Sequence, residues 1–191
     1  MRARPGSLPG ANSSASESVP VVRAVCLVGF MGAGKSSVGR ALSQQLAWPF
    51  VDLDEQVQAR EGRTIEEIFR QSGEAEFRRA EHAALRELLR DLASSPVVMA
   101  LGGGAFVQAK NAALLEKARI PTVFLDAPVD ELFRRCQEQK LDRPLRRDAE
   151  QFRQLHEARR SGYIGATLRI ETSGKDVATV AAEVARSLEL R

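Results

Sequence analysis

Aromatic residues are scarce in this chain, with one tryptophan, one tyrosine and eight phenylalanines among 191 residues. Few stacking platforms exist, so a single-strand nucleic-acid binder is disfavoured. Charge of one sign is not concentrated either. The 28 basic and 25 acidic residues leave a net +3, and they interleave without a dense patch, so no nucleic-acid partner is expected. Apolar runs stay well short of the roughly 18 residues a membrane helix needs, and no membrane partner is expected. Cysteine is limited to Cys26 and Cys136. With no signal-peptide core ahead of them, they read as reduced cytoplasmic thiols, Cys26 as core packing. The two histidines, His82 and His156, fall in helix-like segments without a metal motif, and are expected to be packed or solvated.

What is present fits one enzyme-sized domain with a single core, since 43% of the residues are hydrophobic. Residues 1–20 stand apart. They are rich in Ser, Pro, Gly and Ala, with Arg2, Arg4 and a single acid, Glu17. An organelle leader and a disordered tail share this composition; lacking an amphipathic face, the segment reads as a disordered tail. Residues 21–191 form the expected domain.

The strongest motif is Gly29-Phe30-Met31-Gly32-Ala33-Gly34-Lys35-Ser36, a complete G-x-x-x-x-G-K-S phosphate loop. It follows an apolar run and opens a helix-like stretch, which is the context the motif requires. Backbone N–H groups of Gly32, Ala33, Gly34, Lys35, Ser36 and Ser37 can converge on a polyphosphate at a helix N-terminus. Lys35 then reaches the β- and γ-phosphates, and Ser36 can hold Mg²⁺. The chain is expected to bind a nucleoside triphosphate.

Strand-like runs at 21–28, 49–53, 97–101, 122–125 and 167–171 alternate with helix-like stretches near 35–47, 64–71, 74–92, 109–118, 128–139, 148–161 and 176–189. This alternation predicts an α/β fold, a five-stranded parallel sheet between two helical layers. The polar, basic stretch at 137–148, with Lys140, Asp142, Arg143, Arg146 and Arg147, reads as a mobile lid over phosphates.

Ligands of such sheets sit beyond the carboxyl ends of the strands. There the second strand ends with Asp52 and Asp54. Strand alternation would send both carboxylates to one side, one toward a metal-bound water and one toward an acceptor hydroxyl. A plain helix N-cap at Asp54 is the competing reading. The third strand ends in Gly102, Gly103 and Gly104, which admit close approach of a ligand. Glu74, Arg78 and Glu81 share one helical face. They form either a surface ion-pair stripe or a device in which acids orient Arg78 toward a carboxylate.

Taken in order, these motifs resemble the shikimate kinases. The pattern runs through the phosphate loop, Asp52-x-Asp54, Gly62-Arg63-Thr64-Ile65-x-Glu67-Ile68-Phe69, Gly73-Glu74-x-x-Phe77-Arg78-Arg79-x-Glu81, Leu101-Gly102-Gly103-Gly104-Ala105 and Arg143-Pro144-Leu145. The resemblance spans about residues 24–189. It implies a P-loop, nucleoside monophosphate kinase-like fold. It also implies Mg²⁺-dependent transfer of the ATP γ-phosphoryl group to the 3-hydroxyl of shikimate, in a cytoplasmic monomer.

Residue roles follow from the resemblance. Asp54 holds the shikimate hydroxyls; Arg78 and Arg159 hold its carboxylate, with Arg160 as an alternative to Arg159; Gly102, Gly103 and Gly104 pack on the same substrate. Arg143 closes on the phosphates, Arg135 lies beside adenine, and Asp52 meets the metal through water. The sequence departs from the pattern at Arg159-Arg160-Ser161-Gly162-Tyr163, where the family usually carries a proline, and the glycine is expected to loosen that helix end. Thr172-Ser173-Gly174-Lys175-Asp176 likewise lacks a proline often found against adenine. A gluconate-type kinase and a catalytically silent nucleotide-binding module are the alternatives to this reading.

Overall fold

The computed structural model describes residues 22–91, 95–138 and 148–190. The tail expected at 1–20 lies outside them, as does most of the expected lid, Arg143 included.

Five strands, β1 (Ala24–Val28), β2 (Phe50–Asp52), β3 (Val97–Ala100), β4 (Thr122–Asp126) and β5 (Leu168–Glu171), form one sheet in the order β2-β3-β1-β4-β5. All pairings are parallel, and central Leu27 is in register with Ala100 on one side and Val123 on the other. Successive side chains of a strand point to opposite faces, yet every residue of β1, β3 and β4 is buried. Both faces of the sheet are therefore covered, which makes the three-layer αβα architecture. The chain passes first to one side of β1 and later to the other. The crevice where those paths part is the expected ligand site.

The covering helices are α1 (Lys35–Leu46), α2 (Leu53–Glu61), α3 (Ile65–Asp91), α4 (Ala109–Lys117), α5 (Val129–Glu138), α6 (Ala149–Tyr163) and α7 (Val177–Ser187). α1 packs on α7, α2 on α3, α3 on α4 and α5 on α6. Helix α3 bends at Gly73, whose φ of 77° and ψ of 174° are not helical, so the break expected between its two halves is present. Helix α2 is an addition to the expected set. Only Leu53 and Val57 of its nine residues are buried, a single i, i+4 pair, which is too little periodicity to announce a helix.

The aromatic residues concentrate where α6 meets the phosphate loop. Phe30 of the loop makes edge contacts with Phe152 at 5.0 Å and His156 at 5.2 Å, while Tyr163 stacks on Phe124 of β4 at 5.1 Å. Edge and offset geometries of this kind add about 0.5–1.5 kcal/mol each beyond burial. They fix α6 against both the loop and the sheet. Cys26 and Cys136 are both buried, and burial pushes the Cys26 thiol far above its usual range. No helix among the described residues is long and apolar enough to cross a membrane.

Candidate active site

The phosphate loop leaves β1 at Gly29 and enters α1 at Lys35 through Gly34, which is left-handed at φ 87°. Gly32 is also left-handed, at φ 81°, and a methyl group there would lie 2.5 Å from the Leu132 carbonyl oxygen and 2.9 Å from Cys136 Sγ. The loop thus closes tightly on α5, which only glycine allows at that position. Lys35 Nζ donates to the carbonyl oxygens of Gly29 and Phe30, each at 2.9 Å, so the ammonium folds back over its own loop. Ser36 and Ser37 are exposed in the first turn of α1.

Ser36 Oγ donates to Asp52 Oδ2 at 2.7 Å, and Asp52 Oδ1 accepts from the Asp54 backbone N–H at 3.0 Å. One carboxylate therefore serves two tasks, facing the serine of the phosphate loop and capping α2. Two expectations are corrected here. The N-cap is Asp52, and Asp54 lies within the first turn of α2, so strand alternation does not set the direction of its side chain. The helix turn aims it instead. Asp54 meets the glycine segment, where a methyl group on Gly102 would stand 2.4 Å from Asp54 Oδ1.

Arg78 occupies the other end of that segment. A methyl group on Gly104 would lie 2.6 Å from Arg78 Nη2. Arg78 donates through Nε and Nη2 to Glu74 Oε1, at 3.2 and 3.1 Å, and through Nη1 to both Glu81 oxygens, at 3.1 and 3.0 Å. The simple surface stripe fails at Glu81, whose side chain is 1% exposed against 64% for Glu74. Burial pushes the Glu81 carboxyl above its usual range. Arg78 pulls it back, Asp54 adds to the rise and Arg159 opposes it. Asp54, Arg78, Glu81 and Arg159 thus share one electrostatic neighbourhood.

Arg159 and Arg160 diverge. Burial lowers the Arg159 guanidinium below its ordinary value; Tyr163 opposes that, Arg78 reinforces it, and Glu74 and Glu81 oppose it. An arginine stays charged regardless, so Arg159 is a half-buried cation within electrostatic reach of Arg78. Arg160 is drawn to Asp126, at 3.7 Å, beside the shorter Arg169–Asp126 pair at 2.7 Å. The glycine after them does not loosen the helix as expected. Helix α6 continues through Gly162 to Tyr163, because a glycine is what fits there. A methyl group would stand 2.6 Å from Val107 Cγ1 and 3.2 Å from its Cα. Tyr163 then donates its hydroxyl to the Gly103 carbonyl oxygen.

Arg135 on α5 donates through Nη1 to Thr172 Oγ1 and through Nη2 to the Thr172 carbonyl, both at 3.0 Å, and through Nη2 to Glu131 Oε1 at 2.6 Å. It ties α5 to the loop between β5 and α7, where the sequence lacks the adenine-side proline. Both histidines are packed or hydrogen-bonded, His156 against Phe30 and His82 through Nδ1 to Asn111 Oδ1 at 2.7 Å. The structure places Asp54 beside Gly102 and Arg78 beside Gly104, Asp52 against Ser36 and the Asp54 N–H, Gly103 against the Tyr163 hydroxyl and Arg159 within electrostatic reach of Arg78, whereas Arg160 is drawn to Asp126. Sequence reasoning passed over Gln108 and Asn111, which lie in a region with no motif and declare themselves only through packing.

Known kinases of both types resemble this chain, to different degrees. A gluconokinase from Sinorhizobium meliloti superposes with a TM-score of 0.53 at 20% identity, covering 87% of this chain and 95% of that one, a likeness of fold alone. A shikimate kinase from Acinetobacter baumannii in complex with shikimate superposes with a TM-score of 0.80 at 34% identity, covering 88% and 93%. The shikimate kinase of Geobacter metallireducens is 43% identical over 173 residues, which is 89% of this chain and 94% of that protein. The family model for shikimate kinase matches residues 31–189. With the Gly32–Ser36 end of the phosphate loop, the glycine segment and both carboxylates inside that match, the chain belongs to the shikimate kinase family.

Proposed function

We propose that residues 21–191 work as one kinase domain, with a lid at about 137–148, that moves the γ-phosphoryl group of ATP onto the 3-hydroxyl of shikimate. The observation that carries the residue assignment is the glycine segment. Gly102 has its Cβ space taken by the Asp54 carboxylate and Gly104 by the Arg78 guanidinium. A small hydroxy acid laid along it would meet an acceptor for its hydroxyls at one end and a fork for its carboxylate at the other. Arg159, half-buried and within electrostatic reach of Arg78, supplies the second cation. Two guanidinium groups select a carboxylate over a neutral sugar.

In the reaction the acceptor hydroxyl oxygen bonds to the γ-phosphorus while the bond to the β–γ bridging oxygen breaks, releasing ADP. Phosphoryl transfer of this kind depends on in-line placement and dispersed positive charge. Asp54 orients the hydroxyl and takes its proton as the bond forms. Transfer of this kind depends on placement more than on proton abstraction, so orientation is the larger contribution of Asp54. Backbone N–H groups of Gly32, Ala33, Gly34, Lys35, Ser36 and Ser37 receive the phosphates. Lys35 exchanges its loop carbonyl partners for phosphate oxygens, Arg143 closes from the lid, and Arg135 flanks adenine.

Ser36 and Asp52, in contact at 2.7 Å, present the hard oxygen donors that suit Mg²⁺, an ion that takes its other positions from phosphate and water. When bound, Mg²⁺ neutralises charge on the β- and γ-phosphates. Ser36 would hold it directly and Asp52 through water. The domain is read as a cytoplasmic monomer.

The test is ADP release by the purified protein with Mg-ATP, with and without shikimate. A shikimate-dependent rate that falls about 10²- to 10⁴-fold in Asp54→Asn supports the acceptor site. A rise of about 10- to 100-fold in the shikimate KM of Arg78→Ala supports the carboxylate fork. ATP binding with no response to shikimate would overturn the assignment and favour the silent module.

A further inference from the structure

We propose that His82 and Asn111 are positioning residues that set the affinity for the acceptor carboxylate without touching it. The proposal rests on Arg78 being the carboxylate-binding arginine.

Asn111 is completely buried. A buried amide must have its donors and acceptor matched or it destabilises the fold. Its Nδ2 donates to the Ala105 carbonyl oxygen at 3.0 Å. A carbonyl can only accept, so the amide orientation is fixed and Oδ1 faces His82 Nδ1 at 2.7 Å. His82 Nδ1 is therefore the donor, which defines the ring tautomer. A second link runs beside it, from Gln108 Nε2 to Glu81 Oε2 at 3.0 Å.

These two links join the start of α4 to the part of α3 that carries Arg78. His82 lies one helical turn beyond Arg78, and Glu81 bonds Arg78 directly. At the other end, Ala105 closes the glycine segment. Its N–H donates to the Gly102 carbonyl at 3.0 Å, and its own carbonyl accepts from both Asn111 and the Gln108 N–H. The distance between Gly104 and the Arg78 guanidinium, too short for a Cβ, is thus governed by how α3 is held against α4. If the His82–Asn111–Ala105 chain is cut, the glycine segment and the guanidinium are free to drift relative to each other. A contact that only stabilised the fold would leave acceptor affinity alone.

The experiment compares steady-state constants of His82→Leu, His82→Asn, Asn111→Leu and Arg78→Ala. His82 is half-buried, so its variants carry the test if Asn111→Leu fails to fold. In His82→Leu the shikimate KM rises about three- to tenfold while kcat and the ATP KM stay within about twofold. His82→Asn, whose amide N–H replaces Nδ1–H, restores the parent shikimate KM. An unchanged shikimate KM in His82→Leu, an equal rise in the ATP KM, or no rescue by Asn overturns the proposal. Arg78→Ala separates the two layers. If it too leaves the shikimate KM unchanged, the acceptor reading itself fails; if it raises that KM while His82→Leu does not, only the positioning role fails.

Discussion

Gly102 and Asp54 share one space, since a methyl group on the glycine would stand 2.4 Å from Asp54 Oδ1 and 3.2 Å from its Cγ. The carboxylate can yield by rotating, so Gly102→Ala is expected to fold and to bind ATP normally. What yields is the group that orients the acceptor hydroxyl. Misplacement of about 1 Å can cost a hundredfold in rate, and kcat/KM for shikimate is expected to fall by about that factor with little change in Tm. A variant with near-parent activity would mean that Asp54 does not act from this position.

Asp52 performs two tasks that substitution can separate. Asparagine caps helices about as well as aspartate, whereas alanine costs about 1 kcal/mol. Asp52→Asn is therefore expected to keep the bond to the Asp54 N–H, and with it most of the stability. It loses the negative charge beside Ser36 and needs a higher Mg²⁺ concentration for half-maximal rate. Asp52→Ala shows the same Mg²⁺ effect plus the loss of stability. Magnesium titrations and urea melts on both variants check this, and equal Mg²⁺ dependence in parent and Asp52→Asn would remove Asp52 from the metal's surroundings.

The parts of this molecule that could be read from the chain are those marked by local pattern. The phosphate loop, the five strands and the glycine segment announce themselves through runs, breaks and motif order, and Arg78 through its helical spacing with Glu74 and Glu81. Helix α2 did not, because Leu53 and Val57 alone mark its inner face. Strand alternation therefore stops at Asp52, and the first turn of α2 sets the direction of Asp54. The contact of His82 with Asn111, 29 residues apart, exists only because α3 packs on α4. The fit of Gly162 depends likewise on Val107, a packing partner distant in the chain.

Glu81 gives the protein a pH-dependent term with a defined sign. Burial lifts its carboxyl above the ordinary value of 4.5, so over some range the folded chain keeps a proton that the unfolded chain has released. The corresponding stability is full below that ordinary value and is lost as pH rises through the folded-state value. Glu81→Gln abolishes this slope. Unfolding free energies from urea melts should show the Gln variant gaining relative to the parent as pH rises from about 4.5 toward 8. A flat or opposite difference would contradict the raised value. The same variant loses the buried carboxylate of the Arg78 clasp, and its shikimate KM is expected to rise severalfold.

Gly162 sets two effects of opposite sign against each other. Replacing a helical glycine by alanine ordinarily stabilises by about 1 kcal/mol. Here the new methyl group would lie 2.6 Å from Val107 Cγ1, 2.9 Å from its Cβ and 3.2 Å from its Cα, and overpacking of that kind costs about 1–3 kcal/mol. The last of these contacts is to backbone, which cannot rotate away, so the clash is expected to win and Gly162→Ala to be less stable than the parent by about 1 kcal/mol. Val107→Ala removes the nearest contact but leaves the Cβ in place. The double variant should therefore recover part of the loss, a coupling measurable by a double-mutant cycle. Tyr163 follows Gly162 and bonds the Gly103 carbonyl, so the displaced helix end should also raise the shikimate KM. A stabilised Gly162→Ala would show that propensity outweighs packing and that the end of α6 has room to move.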